Sequence, residues 1–250
     1  SSLVGELKVM IPEILLLAGV WEHNRKHWFR SFPFHFGLYL LAGLIGLLLV
    51  GGIATAAGAG VSADGGLLGS ALFHLTYVVG YAGLGLALAG TLALLAARTF
   101  NPDYREYTKP GDFFNLAFFA VTFTVALGTH ALADPGFAAL RAYFARLVTL
   151  DFSSAAALRW ATGLEIVLAC LLLAYVPLTH MSHFFTKWFM YHDVRWSDEP
   201  NLPGGKIEGE IAEALKYPVS WSASHIRGDG KKNWAEVVTS DVEEKQEKQP

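Results

Sequence analysis

The sequence predicts an all-α, polytopic transmembrane helical bundle, and three observations predict it. Charged residues make up only 16% of the 250 and hydrophobic ones 53%, with a mean hydropathy of +0.36; soluble domains carry roughly a quarter charged residues. Four long stretches hold no Asp, Glu, Lys or Arg, between Arg30 and Asp64, Asp64 and Arg98, Asp112 and Asp134, and Glu165 and Lys187. Each is long enough for a span, which needs about 20 predominantly apolar residues. None alternates in polarity, so these are helices rather than barrel strands.

Spans are read at 34–58, 68–97, 112–134 and 160–185. Ahead of them, residues 1–33 form a separate N-terminal segment. Its apolar run from Val9 to Val20 contains Pro12 and Glu13 and is too short to cross unaided. It is either the end of a span or a helix lying in the interface. The chain opens on Ser1-Ser2 without an initiator Met, which leaves room for a partial fifth span there. The four spans make a bundle over 34–186, and a tail of different composition follows over 187–250.

Lys and Arg counts orient the bundle. Arg25, Lys26 and Arg30 precede the first span, Arg98, Arg105 and Lys109 lie between the second and third, and the tail is rich in both. The loop at 59–67 has none, and the loop at 135–159 has Arg141, Arg146 and Arg159. The reading is a multi-pass cell (inner) membrane protein with a cytoplasmic C-terminus. The tail carries nine basic and twelve acidic residues. A lipid-binding tail is basic, so a protein partner is expected there and no nucleic acid. Trp221 and Trp234 are candidate anchors for that partner; a small self-packed extension explains them equally. The single Cys170 excludes a disulfide framework, a CxxCH haem attachment and a cysteine-held iron–sulfur cluster within the chain.

Histidine at membrane depth is a functional hypothesis by default. His35 opens the first clear span and His183 closes the last, on the same side. His74 lies about one turn into the second span and His130 about one turn from the end of the third, both toward the other side. Two imidazoles from different helices at equal depth are what the iron of a b haem needs as axial ligands. The inner pair, His35 and His183, and the outer pair, His74 and His130, would lie on the order of 20 Å apart along the membrane normal. His180 competes with His183, because residues three apart share a helix face. A packing role for each histidine is the plainer alternative, and a proton relay in a transporter is another. For a membrane quinone, the candidates are Glu165, the one acidic residue deep in the fourth span, with Tyr77 and Tyr81, which follow His74 at helical spacing. No HExxH occurs.

The run His27-Trp28-Phe29-Arg30-Ser31-Phe32-Pro33-Phe34-His35-Phe36-Gly37-Leu38-Tyr39 resembles the start of the first haem-bearing helix in membrane cytochrome b subunits of the respiratory nitrate reductase gamma type. Pro177-Leu178-Thr179-His180-Met181-Ser182-His183-Phe184-Phe185 is similar to that family's last helix, where a proline precedes the haem histidine by six residues. Lys187 to Asn201, with Trp188, His192, Arg195, Trp196 and Glu199-Pro200-Asn201, resembles one branch more closely, as do Trp221-Ser222-Ala223, His225-Ile226 and Trp234-Ala235-Glu236-Val237. That branch is partnered with heterodisulfide-reductase-like iron–sulfur proteins, including those of sulfate-reducer transmembrane complexes. The resemblance covers nearly the whole chain from about residue 20.

What the resemblance implies is a haem b electron-transfer subunit of a respiratory oxidoreductase. It would exchange electrons between the quinone pool and a cytoplasmic iron–sulfur subunit, and be non-catalytic alone. One or two non-covalent haems are implied, with His35 and His183 as the family's inner ligands. A single-haem membrane anchor is the alternative. The family's second haem takes ligands ten residues after the first histidine and eighteen before the last. Those positions are Ile45 and Glu165 here, so His74 with His130 is the substitute pair expected.

Overall fold

A computed structural model describes residues 3–151, 159–179, 183, 201–223 and 226–239. The chain divides into two compact units, Ser1–Phe185 and Thr186–Pro250.

Helices α1 (Leu3–Leu15), α2 (Ala18–His23), α3 (Arg25–Ala56), α4 (Leu67–Phe100), α5 (Pro102–Arg105), α6 (Pro110–Leu132), α7 (Ala138–Thr149) and α8 (Trp160–Tyr175) build the first unit, with a 3-10 turn at Val176–Leu178. Four of these segments are long and apolar enough to cross a membrane, namely Arg25–Ala56, Leu67–Phe100, Pro110–Leu132 and Trp160–Leu178. At 1.5 Å per residue even the last spans about 28 Å, close to the hydrocarbon thickness. The chain is therefore an all-α, multi-pass membrane bundle. Its largest exposed apolar side chains on these helices, among them Leu49, Val78, Leu92, Val121 and Leu173, face where lipid belongs.

Two span boundaries differ from those expected. The first helix begins at Arg25 and runs through Pro33. Asn24 starts it by accepting the His27 backbone N–H at 3.0 Å, and a proline within a long helix removes one hydrogen bond without ending it. The fourth α-helix ends at Tyr175, and Pro177 turns the next three residues into a 3-10 segment. Residues 180–182 and 184–186 lie outside the described residues. At the N-terminus, α1 has 13 described residues with Pro12 inside it. Trp28 Nε1 donates to Leu16 O and Tyr39 Oη to Ile14 O, both at 2.7 Å, and tie this segment to α3.

Helix α3 packs along α4 and α7, α4 along α6, and α6 along α8. The core between them is Phe34, Leu84, Ala87, Leu94, Leu116, Phe119, Phe123, Ala126 and Leu172. Buried threonines return their hydroxyl protons to the preceding turn, Thr76 to Leu72 O and Thr91 to Ala87 O at 2.6 Å, Thr122 to Phe118 O at 2.9 Å. The hydroxyl protons of these three are thereby satisfied in the apolar interior. Tyr175 Oη donates to Asn115 Oδ1 at 2.7 Å and joins α8 to α6.

The α3–α4 contact is closest at Gly90, where a Cβ would overlap the Phe34 backbone. Gly90→Leu is expected to force the two helices apart and lower the temperature of unfolding in detergent by several degrees, since overpacking costs about 1–3 kcal/mol or more. An unchanged melting curve would contradict that contact.

The second unit is small. It contains α9 (Lys206–Ala214), a two-stranded antiparallel hairpin of β1 (Ser222–Ala223) with β2 (Ile226–Arg227), and α10 (Trp234–Thr239). Val219 and Val237 are its buried apolar residues among those described. Asn233 and Glu236 cap α10 reciprocally, each side chain accepting the other's backbone N–H at 2.9 Å. Trp221 and Trp234, expected as partner anchors or as part of a self-packed extension, pack edge-to-face at 5.9 Å, which is the self-packed arrangement.

Candidate functional site

Successive spans run antiparallel, so the start of α3 and the end of α8 share one end of the bundle. His35 and His183 meet there, their ring centroids 6.0 Å apart with planes at 67°. His35 is half-buried and His183 exposed. His35 Nδ1 donates to Ser31 O at 2.8 Å and has Ser31 Oγ at 3.3 Å. A carbonyl only accepts, so Nδ1 carries the hydrogen and the ligand role falls to Nε2. A backbone bond of this kind orients metal-binding imidazoles. Phe34 stands edge-on to the His35 ring at 5.3 Å, and α3 and α8 are not among the extensively packed helix pairs. Two imidazoles on opposite sides of one metal ion, each with a metal–nitrogen bond of about 2 Å, have ring centroids roughly 6 Å apart. The residues present thus fit a bis-histidine haem. His180, the competing ligand, lies outside the described residues.

The other end of the bundle departs from expectation. His74 is exposed on α4, while His130 is fully buried, and no hydrogen bond or ring contact joins them. Both nitrogens of His130 are engaged within the protein. Nδ1 lies 3.0 Å from Asp134 O, and Nε2 lies 2.9 Å from Glu165 Oε1. The Phe137 ring stacks on its face, 3.8 Å between centroids at 27°. The structure thus does not bring His74 and His130 together: one ring lies on the outside of α4 and the other in a protein-made socket.

The socket is built by the turn between α6 and α7. Phe137 begins α7 with φ 56° and ψ 26°, a left-handed conformation that is costly for a bulky residue. It has no side-chain oxygen to cap the helix, and Asp134 does so instead. Its carboxylate accepts from Ala138 N at 2.8 Å and Ala139 N at 3.0 Å, satisfying orphan donors of the first turn. The ring thus directed inward is wholly buried. It enters against Gly80 of α4, where any side chain would collide with it.

Arg141 is also buried and donates to Gly136 O at 2.8 Å, its guanidinium 5.9 Å above the Phe73 ring. Burial lowers the Arg141 pKa from its ordinary value, and the Asp134 charge opposes that. Glu165 Oε2 and Thr162 Oγ1, both buried on α8, have no hydrogen-bond partner.

The quinone candidates become one connected group in this geometry. Tyr77 and Tyr81 lie 4.7 Å apart, Tyr81 meets Phe137 edge-on at 5.5 Å, and Phe137 leads through His130 to Glu165. Tyr77 is exposed on the apolar surface. Asp134, Phe137, Arg141 and Thr162 were not singled out from sequence. The Asp134-Pro135-Gly136 turn signal and the spacing of His130 to Asp134 are what could have pointed to the first two.

Phe137→Ala is expected to cost about 3–5 kcal/mol, the range for emptying a buried aromatic site, read as reduced resistance to denaturant in micelles. Phe137→Gly relieves the backbone conformation but not the lost ring, so a near-wild-type Phe137→Gly would assign the effect to strain instead. No family model, no curated protein sequence and no solved structure matches the chain.

Proposed function

We propose that this chain is a haem b electron-transfer subunit of a membrane oxidoreductase complex, linking the membrane quinone pool to an iron–sulfur partner on the cytoplasmic side. The observation that carries the reading is the His35–His183 pair, two imidazoles from separate elements at 6.0 Å at one end of an apolar bundle. His35 and His183 would hold the iron, with Ser31 O fixing the His35 ring by its bond to Nδ1. The bound haem supplies one-electron transfer at that end of the membrane. Phe34, edge-on to the His35 ring at 5.3 Å, would give the group an apolar neighbour. The resemblance of the 27–39 and 177–185 runs to cytochrome b subunits supports the same assignment. One haem per chain is proposed, because His130 has other partners.

A quinone is the redox carrier soluble in the lipid around these apolar spans, and it is proposed as the second redox partner. The Tyr77–Tyr81–Glu165 group would supply its aromatic and acidic contacts. The partner subunit is proposed from the resemblance and from the acidic tail.

The test is the haem-to-protein ratio of the purified chain with a reduced-minus-oxidised spectrum. One six-coordinate b haem per chain, reducible by a quinol, is the expected result. A colourless protein overturns the reading and favours the transporter with a histidine proton relay.

A further inference from the structure

We propose that His130 and Glu165 form a proton-binding site at the α6–α7 end of the bundle, holding one proton between His130 Nε2 and Glu165 Oε1 and exchanging it with the surface at the Asp134 turn. The inference does not rest on the proposed haem site, which is at the other end of the bundle.

The hydrogen bonds fix the proton count. Asp134 O accepts at 3.0 Å from His130 Nδ1, so Nδ1 carries a hydrogen. Nε2 and Oε1 face each other at 2.9 Å, and two bare lone pairs would repel at that distance. One proton therefore lies between them. It resides on Glu165 beside a neutral imidazole, or on His130 beside a carboxylate. Both arrangements are neutral overall, as an apolar interior requires, and the proton moves between them without any change in the net charge of the pair.

Its surroundings suit exchange rather than a sealed packing contact. Asp134 Oδ2 lies 3.9 Å from Nδ1 and offsets a charge on the imidazole. Asp134 stands next to exposed Pro135 in the turn, and its carboxylate, rather than its carbonyl, is the group there that can take a proton from Nδ1 while Nε2 gains one. On the opposite side, Glu165 Oε2 and Thr162 Oγ1 lie one turn apart on α8, more than nine-tenths buried and without partners. A hydroxyl both donates and accepts, so through a bridging water it serves either protonation state.

The other titratable or charged groups at this end are Arg141 of α7, Tyr77 and Tyr81 of α4, and Arg159, whose Nη1 donates to Ala133 O at 3.4 Å. Helix α3 meets α7 here through Gly51, which lies against the Arg141 side chain, and Gly52, and adds no charged group of its own. The His130–Glu165 pair is the group at this end that holds a shared proton.

Infrared spectroscopy of the full chain in lipid nanodiscs tests this, with pH steps and transfer to heavy water. A carboxyl band should respond to pH, shift in heavy water within minutes, vanish in Glu165→Gln and shift in position in His130→Gln. Identical spectra from wild type and Glu165→Gln would overturn the proposal. So would a Glu165 band indifferent to pH and heavy water, which marks a sealed structural pair. NMR of wild-type protein with isotope-labelled histidine gives the same answer without a variant. It should show one ring nitrogen protonated throughout and the other changing with pH; a ring constant at both nitrogens sinks the idea. The visible spectrum reads His35 and His183 separately, so failure here and failure of the haem assignment are distinguishable.

Discussion

His35→Ala is expected to abolish the haem absorption of the purified chain while leaving its helical circular dichroism within about a tenth of wild type. The imidazole is half-buried about three turns into a long helix, so its removal opens a modest space beside Phe34 without unseating the helix. The iron, however, would lose one of two axial ligands, and without a thioether link nothing covalent retains the ring. His183→Ala should do the same, and His180→Ala should not. Exogenous imidazole restoring a six-coordinate spectrum to His35→Ala would identify the loss as ligation. Full haem content in His35→Ala would refute the site, since no described residue nearby offers a substitute imidazole at that depth.

The second large effect belongs to the other end. Glu165→Ala leaves His130 Nε2 wholly buried without a partner, and breaking a buried pair on one side costs about 3–5 kcal/mol. Glu165→Gln keeps a hydrogen-bonding group in place and should cost about 1 kcal/mol. The double variant His130→Leu, Glu165→Leu removes both polar groups together and should recover most of the loss, because paired burial is often replaceable by apolar packing. Unfolding in mixed micelles ranks the three. If the double variant falls as far as Glu165→Ala, the loss comes from packing volume and the polar coupling is wrong.

The bundle itself was legible in the sequence, because exclusion of charge from long runs is a property of composition along one dimension. His35 and His183, expected at one end of the bundle, do come together. Rotation about each helix axis was not legible. His74 faces outward and His130 faces Glu165 across the α6–α8 contact, and only the packing of neighbours decides that. Phe137 was invisible for a different reason. A left-handed phenylalanine has no propensity signal, and its conformation is imposed by the Asp134 cap and the slot at Gly80. Pro33 and Pro177 look alike in sequence, yet one is absorbed by a long helix and the other ends it.

The His130–Glu165 bond joins residues 35 apart in sequence, and this separation has a consequence for biogenesis. At about 5–20 residues per second of synthesis, the ribosome makes Glu165 roughly 2–7 s after His130. Until the last span is in place with its carboxyl, the contacts the chain can offer this imidazole are the local ones, the Asp134 carbonyl and the Phe137 ring, seven residues or fewer away.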